Sequence, residues 1–312
     1  MLGIDNYRLD IKAGRFKIPR PASGLRRAAK RSLARLAGLA ARRAGDPALR
    51  ILTYHRVNAS HPGDRLSVPP DTLARQMEAL ARSGRPVVGL ERAVAALRGE
   101  VELPRGAVVI TFDDGFRDNH DHALPVLRSF GFPASFFVPS ALVESGRTLE
   151  RYLRCCAEDE LMTWNEVRAV AAAGHDIGGH GRTHKELAFL DAATLHDETH
   201  GCHREIAERL SLAPRFFCYP RGSESASVRR AVAEAGFEAA LTVAPGANSR
   251  GVDLFGLSRT EVAADDTLAD FSRKLEGGFD GWHRLLRASH SLAGARANDG
   301  FPRHQHGRSV VR

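Results

Sequence analysis

The chain has 312 residues, of which 43% are hydrophobic and 26% charged, a balance typical of a globular protein. No stretch reaches the roughly 18 apolar residues of a membrane-spanning helix, and we recognise no signal peptide in residues 1–50. The net charge of +8 comes from those residues, which hold 13 basic and 3 acidic side chains. Because the rest of the chain has no basic excess, the sequence does not indicate nucleic-acid binding.

The basic residues form an N-terminal arm, to which we assign residues 1–48. Within it, Gly24–Arg43 is compatible with a helix that carries leucine and alanine on one side and most of its arginines elsewhere. Such a helix suits a peripheral contact with an anionic membrane, and the alternative is a solvated or disordered arm. We expect one folded domain over residues 49–290 and a disordered polar tail over residues 291–312.

Candidate strands and helices alternate from residue 50 onward. The candidate strands are apolar or β-branched runs, at Arg50–Val57, Pro86–Val88, Val108–Phe112, Ala134–Val138, His175–His180, Arg215–Pro220 and Glu238–Val243. The candidate helices have apolar residues at helical spacing, at Asp71–Gly84, Leu90–Gly99, His122–Phe130, Thr163–Gly174, Ala192–Leu210 and Val228–Ala235. This alternation predicts an α/β fold with a parallel sheet or barrel and helices outside. In such folds, functional side chains collect at the carboxyl ends of the strands.

The four cysteines form no CxxC pair; they are Cys155, Cys156, Cys202 and Cys218. The adjacent Cys155 and Cys156 suit neither a zinc knuckle nor an easy disulfide. We therefore interpret all four as reduced thiols of a cytoplasmic protein.

Several candidate strands end in residues that suit one shared site. Asp113 and Asp114 follow Val108–Phe112, and two adjacent carboxylates at the end of a buried strand are costly unless something holds them. Downstream, His180 and His184 are four residues apart, a spacing that presents both imidazoles to one metal ion. Two histidines and one aspartate leave open positions on the ion for water and substrate, and the second aspartate remains available as a general base.

The order of TFDDG, HxxxH and an aromatic-Pro-x-Gly turn resembles the polysaccharide deacetylases of carbohydrate esterase family 4, over roughly residues 50–262. The resemblance implies a distorted (β/α)7 barrel of the nodulation-type deacetylase domain. It also implies metal-dependent removal of N-acetyl groups from an amino sugar, usually with zinc. The implied base is Asp113, and the implied metal ligands are Asp114, His180 and His184. The turn YPRG matches the third motif of the family and assigns the main-chain amide of Arg221 to the oxyanion.

The sequence departs from the family pattern at three places. Gly181 stands where a Ser or Thr commonly follows the first histidine, which suggests that a hydrogen bond behind the ligands is missing. Cys218 stands where many members have a basic residue that steers the base. The C-terminal motifs, which supply a general-acid histidine in many members, are not evident after residue 240.

A histidine near the first strand offers a different general acid. In the exopolysaccharide-type branch of the family, the acid lies in a Tyr-His pair at the end of the first strand, and TYHRV (Thr53–Val57) resembles that pair. We therefore assign His55 as the acid that protonates the leaving amine, with a buried structural histidine as the alternative. We expect acid and base on opposite sides of the metal.

Together these features predict a hydrolase of carbon–nitrogen bonds other than peptide bonds, with Zn2+ as its metal and an N-acetylated glycan or lipid-linked sugar as its substrate. The alternatives are a hydrolase of another acyl or amide group at the same site, and a weak or inactive glycan-binding protein. The sequence identifies neither the polymer nor the oligomeric state. A sugar precursor made at the inner face of the membrane would agree with a cytoplasmic location and with the basic arm.

Overall fold

The computed structural model describes residues 9–10, 15–16, 48–145, 148–149 and 160–280. Seven parallel strands close into a barrel in chain order, and the last strand pairs with the first. They are β3 Arg50–Tyr54, β4 Val108–Phe112, β5 Ser135–Val138, β6 Asp176–Gly179, β7 Phe216–Cys218, β8 Ala239–Pro245 and β9 Leu257–Glu261. A separate antiparallel pair is formed by β1 (Leu9–Asp10) and β2 (Arg15–Phe16). The predicted (β/α)7 barrel is confirmed.

Helices follow the strands and each packs an apolar side inward. They are α1 Pro70–Arg82, α2 Leu90–Arg98, α3 Leu124–Phe130, α4 Trp164–Ala172, α5 Ala192–His196, α6 Cys202–Leu210, α7 Ala226–Glu234 and α8 Leu268–Leu275. In α1, for example, Leu73, Met77 and Leu80 are buried at the helical spacing visible in the sequence. Every residue of β4 is buried, because side chains fill the barrel on one face of the strand and helices cover the other.

The seven strands of the barrel are not the seven that the sequence predicted. The predicted strand Pro86–Val88 is reduced to an isolated bridge between Val87 and Val108. The seventh strand is instead β9, whose sequence LSRTE is mostly polar and therefore lacks the apolar run that marked the others.

The predicted helix Ala192–Leu210 is divided by a π-helical turn at Asp197–Gly201, between α5 and α6. A second π-helical turn, Asn119–Ala123, precedes α3. The wider turns change the direction in which side chains leave the helix, and such turns are frequent near functional sites.

Some predicted features lie outside the described residues. These are the tail, Cys155, Cys156 and, apart from β1, β2 and Ala48, the basic arm with its candidate helix Gly24–Arg43. Cys202 and Cys218 are described, and both are buried free thiols. Among the helices of the described ranges, none combines the length and apolar character that crossing a membrane requires.

Candidate metal centre

The predicted site residues follow four different strands at one end of the barrel. His55 follows β3, Asp113 and Asp114 follow β4, His180 follows β6, and Arg221 lies in the turn after β7. Because all seven strands are parallel, their carboxyl ends lie at the same rim.

Three of these side chains converge. One carboxylate oxygen of Asp114, Oδ1, lies 3.3 Å from His180 Nε2 and 3.1 Å from His184 Nε2. The side chains of Asp114, His180 and His184 are only 1%, 2% and 7% exposed. Two imidazole nitrogens and one carboxylate oxygen form a donor set that suits a divalent cation such as zinc and leaves positions open for water or substrate. The three residues therefore fit a metal site.

A hydrogen bond on the side of the ring that faces away from Asp114 fixes the orientation of His180. Its Nδ1 lies 2.7 Å from the main-chain oxygen of Cys218. A carbonyl oxygen only accepts, so Nδ1 carries a proton, and Nε2 is the ring nitrogen that a metal ion could take. Such a contact behind a histidine ligand sets both its tautomer and its ring plane.

The site concentrates unusual backbone conformations. Five non-glycine residues of the described part of the chain have positive φ, and three of them are candidate site residues: Asp114 at 72°, His184 at 60° and Arg221 at 54°. The left-handed region costs an L-residue about 1–2 kcal/mol. Residues keep such conformations where the surrounding structure imposes them, and functional sites are common examples.

A buried arginine binds the candidate base. Arg259 in β9 donates from Nη1 to Asp113 Oδ1 and from Nη2 to Asp113 Oδ2, both at 2.7 Å. Burial alone would raise the pKa of Asp113, but the charge and hydrogen bonds of Arg259 outweigh it and lower the pKa to about 2. No motif in the sequence marks Arg259; its one indication there is a charged residue inside the short pattern LSRTE.

His55 lies beside the base. Its Nε2 is 3.9 Å from Asp113 Oδ2, too short for a substrate carbon to fit between these two atoms. The expectation that acid and base lie on opposite sides of the metal is therefore not supported. The main-chain oxygen of His55 accepts a hydrogen bond of 2.7 Å from the side-chain amide of Asn119, at the start of the π-helical turn Asn119–Ala123. Asn119 thus links the ends of β3 and β4.

The segment between the two candidate histidine ligands is held by Glu198, which no motif in the sequence marks. A Cβ atom at Gly181 would lie 2.9 Å from Glu198 Oε2, and Gly181 has a φ of 72°. The Ser or Thr that the family commonly has at this position would therefore crowd the carboxylate. Instead, the main-chain amides of Arg182 and Thr183 donate hydrogen bonds to Glu198 Oε2 and hold the segment in place.

The turn after β7 is fixed by its own contacts. The amide of Gly222 donates to the Tyr219 oxygen at 2.8 Å, and a Cβ atom at Gly222 would lie 2.3 Å from Val243 Cγ2. The Arg221 side chain pairs with Glu186 near the surface, so the predicted contribution of Arg221 to the site rests on its main-chain amide alone.

Comparison with known proteins agrees with this arrangement. The model of the polysaccharide deacetylase family matches residues 100–240. The poly-beta-1,6-N-acetyl-D-glucosamine N-deacetylase of Escherichia coli (strain K12) is 23% identical over 256 residues, 72% of this chain and 38% of the relative. The chitooligosaccharide deacetylase of Bradyrhizobium sp. (strain ANU 289) is 31% identical over 143 residues, 45% of this chain and 57% of the relative. The matches span less than two thirds of either relative.

Among solved structures, IcaB from Ammonifex degensii superposes with a TM-score of 0.63 at 24% identity, covering 75% of this chain and 98% of IcaB. A likeness at this identity shows the common barrel. The family match adds the stretch that holds both aspartates, both histidines and the YPRG turn. Residues 100–240, somewhat less than half of the chain, are therefore assigned to a polysaccharide deacetylase domain of carbohydrate esterase family 4.

Proposed function

We propose that this protein is a metal-dependent hydrolase that removes N-acetyl groups from an amino sugar in a glycan or glycan precursor. The observation that carries the proposal is the convergence of Asp114, His180 and His184 beside a separate buried carboxylate, Asp113. A deacetylase needs both features, because one group of side chains must hold the metal while another takes a proton from water.

The metal that we propose is Zn2+, held by Asp114, His180 and His184. Nitrogen and carboxylate donors of this kind are the usual ligands of catalytic zinc. When bound there, the ion would supply Lewis acidity toward the acetamide carbonyl and the attacking water.

The remaining residues handle the protons and the developing charge. Asp113 accepts a proton as the oxygen of water bonds to the acetamide carbon, and the main-chain amide of Arg221 donates to the oxyanion that forms. His55 donates a proton to the nitrogen as the carbon–nitrogen bond breaks. The products are acetate and the free amino sugar.

The class of substrate is inferred from the relatives. Both named relatives act, by their names, on N-acetylglucosamine polymers or oligomers, which supports an N-acetylglucosamine glycan here. An inactive glycan-binding protein is not favoured, because the ligand set and the base are both present in the described site.

The test is acetate release from β-1,6- and β-1,4-linked N-acetylglucosamine oligomers by protein of known metal content. Acetate from either oligomer, dependent on zinc, is the expected result. No acetate from the metal-loaded protein with either oligomer would contradict the proposal. Release of a different acyl group from a panel of acylated amines would instead favour the other hydrolase.

We also propose that the basic arm contacts anionic membrane from the cytoplasmic side and brings the site to a lipid-linked sugar. The 12 basic residues among residues 1–48 support this proposal. Deletion of residues 1–45 should release the protein from anionic vesicles and leave turnover of a soluble oligomer intact. Vesicle binding that persists without the arm would contradict it.

A further inference from the structure

We propose that Arg259 is the positioning residue of Asp113, and that it replaces from β9 the basic side chain that many family members carry at position 218 of β7. The inference rests on the proposed function, since it concerns the base of that reaction. Cys218 and Arg259 lie on strands separated by β8, yet both side chains reach Asp113. The strand that supplies the arginine therefore differs from the family pattern, while its target is the same.

The head group of Arg259 is fully engaged inside the barrel. The guanidinium makes two further hydrogen bonds besides those to Asp113. Its Nε donates to the main-chain oxygen of Thr242 at 2.8 Å, and its Nη1 donates to Thr53 Oγ1 at 2.9 Å. The side chain is 1% exposed. A guanidinium held on several sides has one orientation, and its planar fork imposes that orientation on the carboxylate.

Cys218 and Arg259 share one space. Cys218 Sγ lies 3.0 Å from Arg259 Nη2 and 3.4 Å from Asp113 Oδ2. A longer side chain at position 218 would meet the guanidinium or the carboxylate. An arginine at position 259 therefore requires a small side chain at position 218, and the cysteine meets that requirement.

This arrangement gives the two adjacent carboxylates separate partners. Arg259 neutralises Asp113, whereas Asp114 faces the two histidines. Each of the two neighbouring carboxylates at the end of β4 therefore has its own compensating partner, which reduces their mutual repulsion. Arg259 touches the base and has no direct part in proton transfer, so its effect should appear in kcat much more than in KM.

The test compares four proteins: wild type, Arg259→Ala, Arg259→Lys and the double variant Cys218→Arg/Arg259→Ala. For each we would measure melting temperature, bound metal, and kcat and KM for acetate release. Arg259→Ala should lower kcat by about 10- to 100-fold with bound metal unchanged. Arg259→Lys keeps the charge but loses the fork, and should recover little. The double variant should recover most of the loss, and methylguanidinium, but not methylammonium, should partly restore Arg259→Ala.

A crystal structure of the double variant supplies a readout that does not depend on activity. We expect the guanidinium of the arginine introduced at position 218 on both oxygens of Asp113. A folded, metal-loaded Arg259→Ala protein with wild-type kcat would overturn the proposal, as would a double variant whose new arginine points away from Asp113. If the wild type itself releases no acetate, the proposed function fails, and the crystal structure still decides whether the two positions share one guanidinium site.

Discussion

The carboxylate of Glu198, whose side chain is 1% exposed, accepts a hydrogen bond of 2.9 Å from the main-chain amide of Thr183. Glu198 lies in the π-helical turn Asp197–Gly201, whereas Thr183 lies in the loop after β6. The same oxygen accepts from the Arg182 amide at 2.8 Å, and the other oxygen accepts from the Thr183 hydroxyl. These donors all belong to the segment between the two candidate ligands His180 and His184. Glu198 therefore sets the path of the chain from His180 to His184.

Glu198→Met should weaken metal binding. The substitution keeps the length of the side chain but leaves the main-chain amides of Arg182 and Thr183 without their acceptor, and a buried donor without an acceptor costs about 1–3 kcal/mol. We expect metal affinity to fall by about 10- to 100-fold in a chelator competition. Glu205→Met is the matched control, because Glu205 accepts hydrogen bonds from the side chains of Arg182 and Ser140 but not from this main chain. Equal affinities for both variants would argue against the role of Glu198.

Removing one ligand should remove the metal. His180→Ala leaves only two of the three donors, so bound zinc measured by elemental analysis and acetate release should both be lost. Chelation of the wild type should have the same effect, with recovery on adding zinc. In a crystal structure with metal, ligand distances should be about 2.0–2.2 Å. His196→Ala, an exposed histidine on the neighbouring helix, should change neither quantity. Full activity of metal-free protein would refute the site.

Asp113→Asn should leave metal binding intact and lower the rate of the chemical step. The substitution preserves the shape of the side chain and removes its basicity, so metal content should stay while kcat falls by about 10²- to 10⁴-fold. Arg259 keeps an oxygen acceptor but loses the opposing charge, and the melting temperature should therefore fall as well. Unchanged kcat in this variant would exclude Asp113 as the base.

His55→Ala should impair an amide substrate more than an activated ester. The amine of the amide leaves only after protonation, whereas the leaving group of an activated ester departs without it. The measurement is the rate of the variant relative to wild type on an N-acetylglucosamine oligomer and on an aryl acetate, and the ratio of the two losses distinguishes a general acid from a structural histidine. Metal content should not change, since His55 lies outside the ligand set. Equal losses on both substrates would point to a structural histidine.

Asp64→Asn should expose the pH dependence of a buried ion pair. Burial tends to raise the pKa of Asp64, but Arg56 and Ser67 outweigh it and lower the pKa below its ordinary value. A lowered folded pKa stabilises the protein above the unfolded pKa of about 3.9, and this stabilisation is lost as pH falls through the folded value. The variant should cost about 3 kcal/mol at pH 7, because Arg56 is 1% exposed and would lose its counter-charge.

Chemical denaturation at several pH values measures this difference, which should shrink as the pH falls below about 4. Asp265→Asn is the control, because its pair with Arg65 is exposed and should contribute less than about 1 kcal/mol. A difference for Asp64→Asn that stays constant down to pH 2 would show that the ion pair is not its cause.

The sequence by itself indicated parallel strands with helices outside and the candidate ligands Asp114, His180 and His184. Apolar runs such as Val108–Phe112, alternating with helices of regular apolar spacing, indicate parallel strands. Parallel strands bring their carboxyl ends, and with them Asp114 and His180, to one rim. Each of these features depends on residues that are close together in the chain, and it can therefore be predicted from a local sequence pattern.

Only the tertiary structure decided what holds the site in place. Arg259 and Asp113 are 146 residues apart and meet because β9 closes the barrel against β3. Glu198 lies in the π-helical turn Asp197–Gly201, from which its side chain reaches the main chain between His180 and His184. A π-helical turn has no periodic sequence pattern by which it could be predicted. A buried charge is tolerated wherever the fold supplies its partner. Its position therefore depends on the closure of the whole barrel rather than on its neighbours in the sequence.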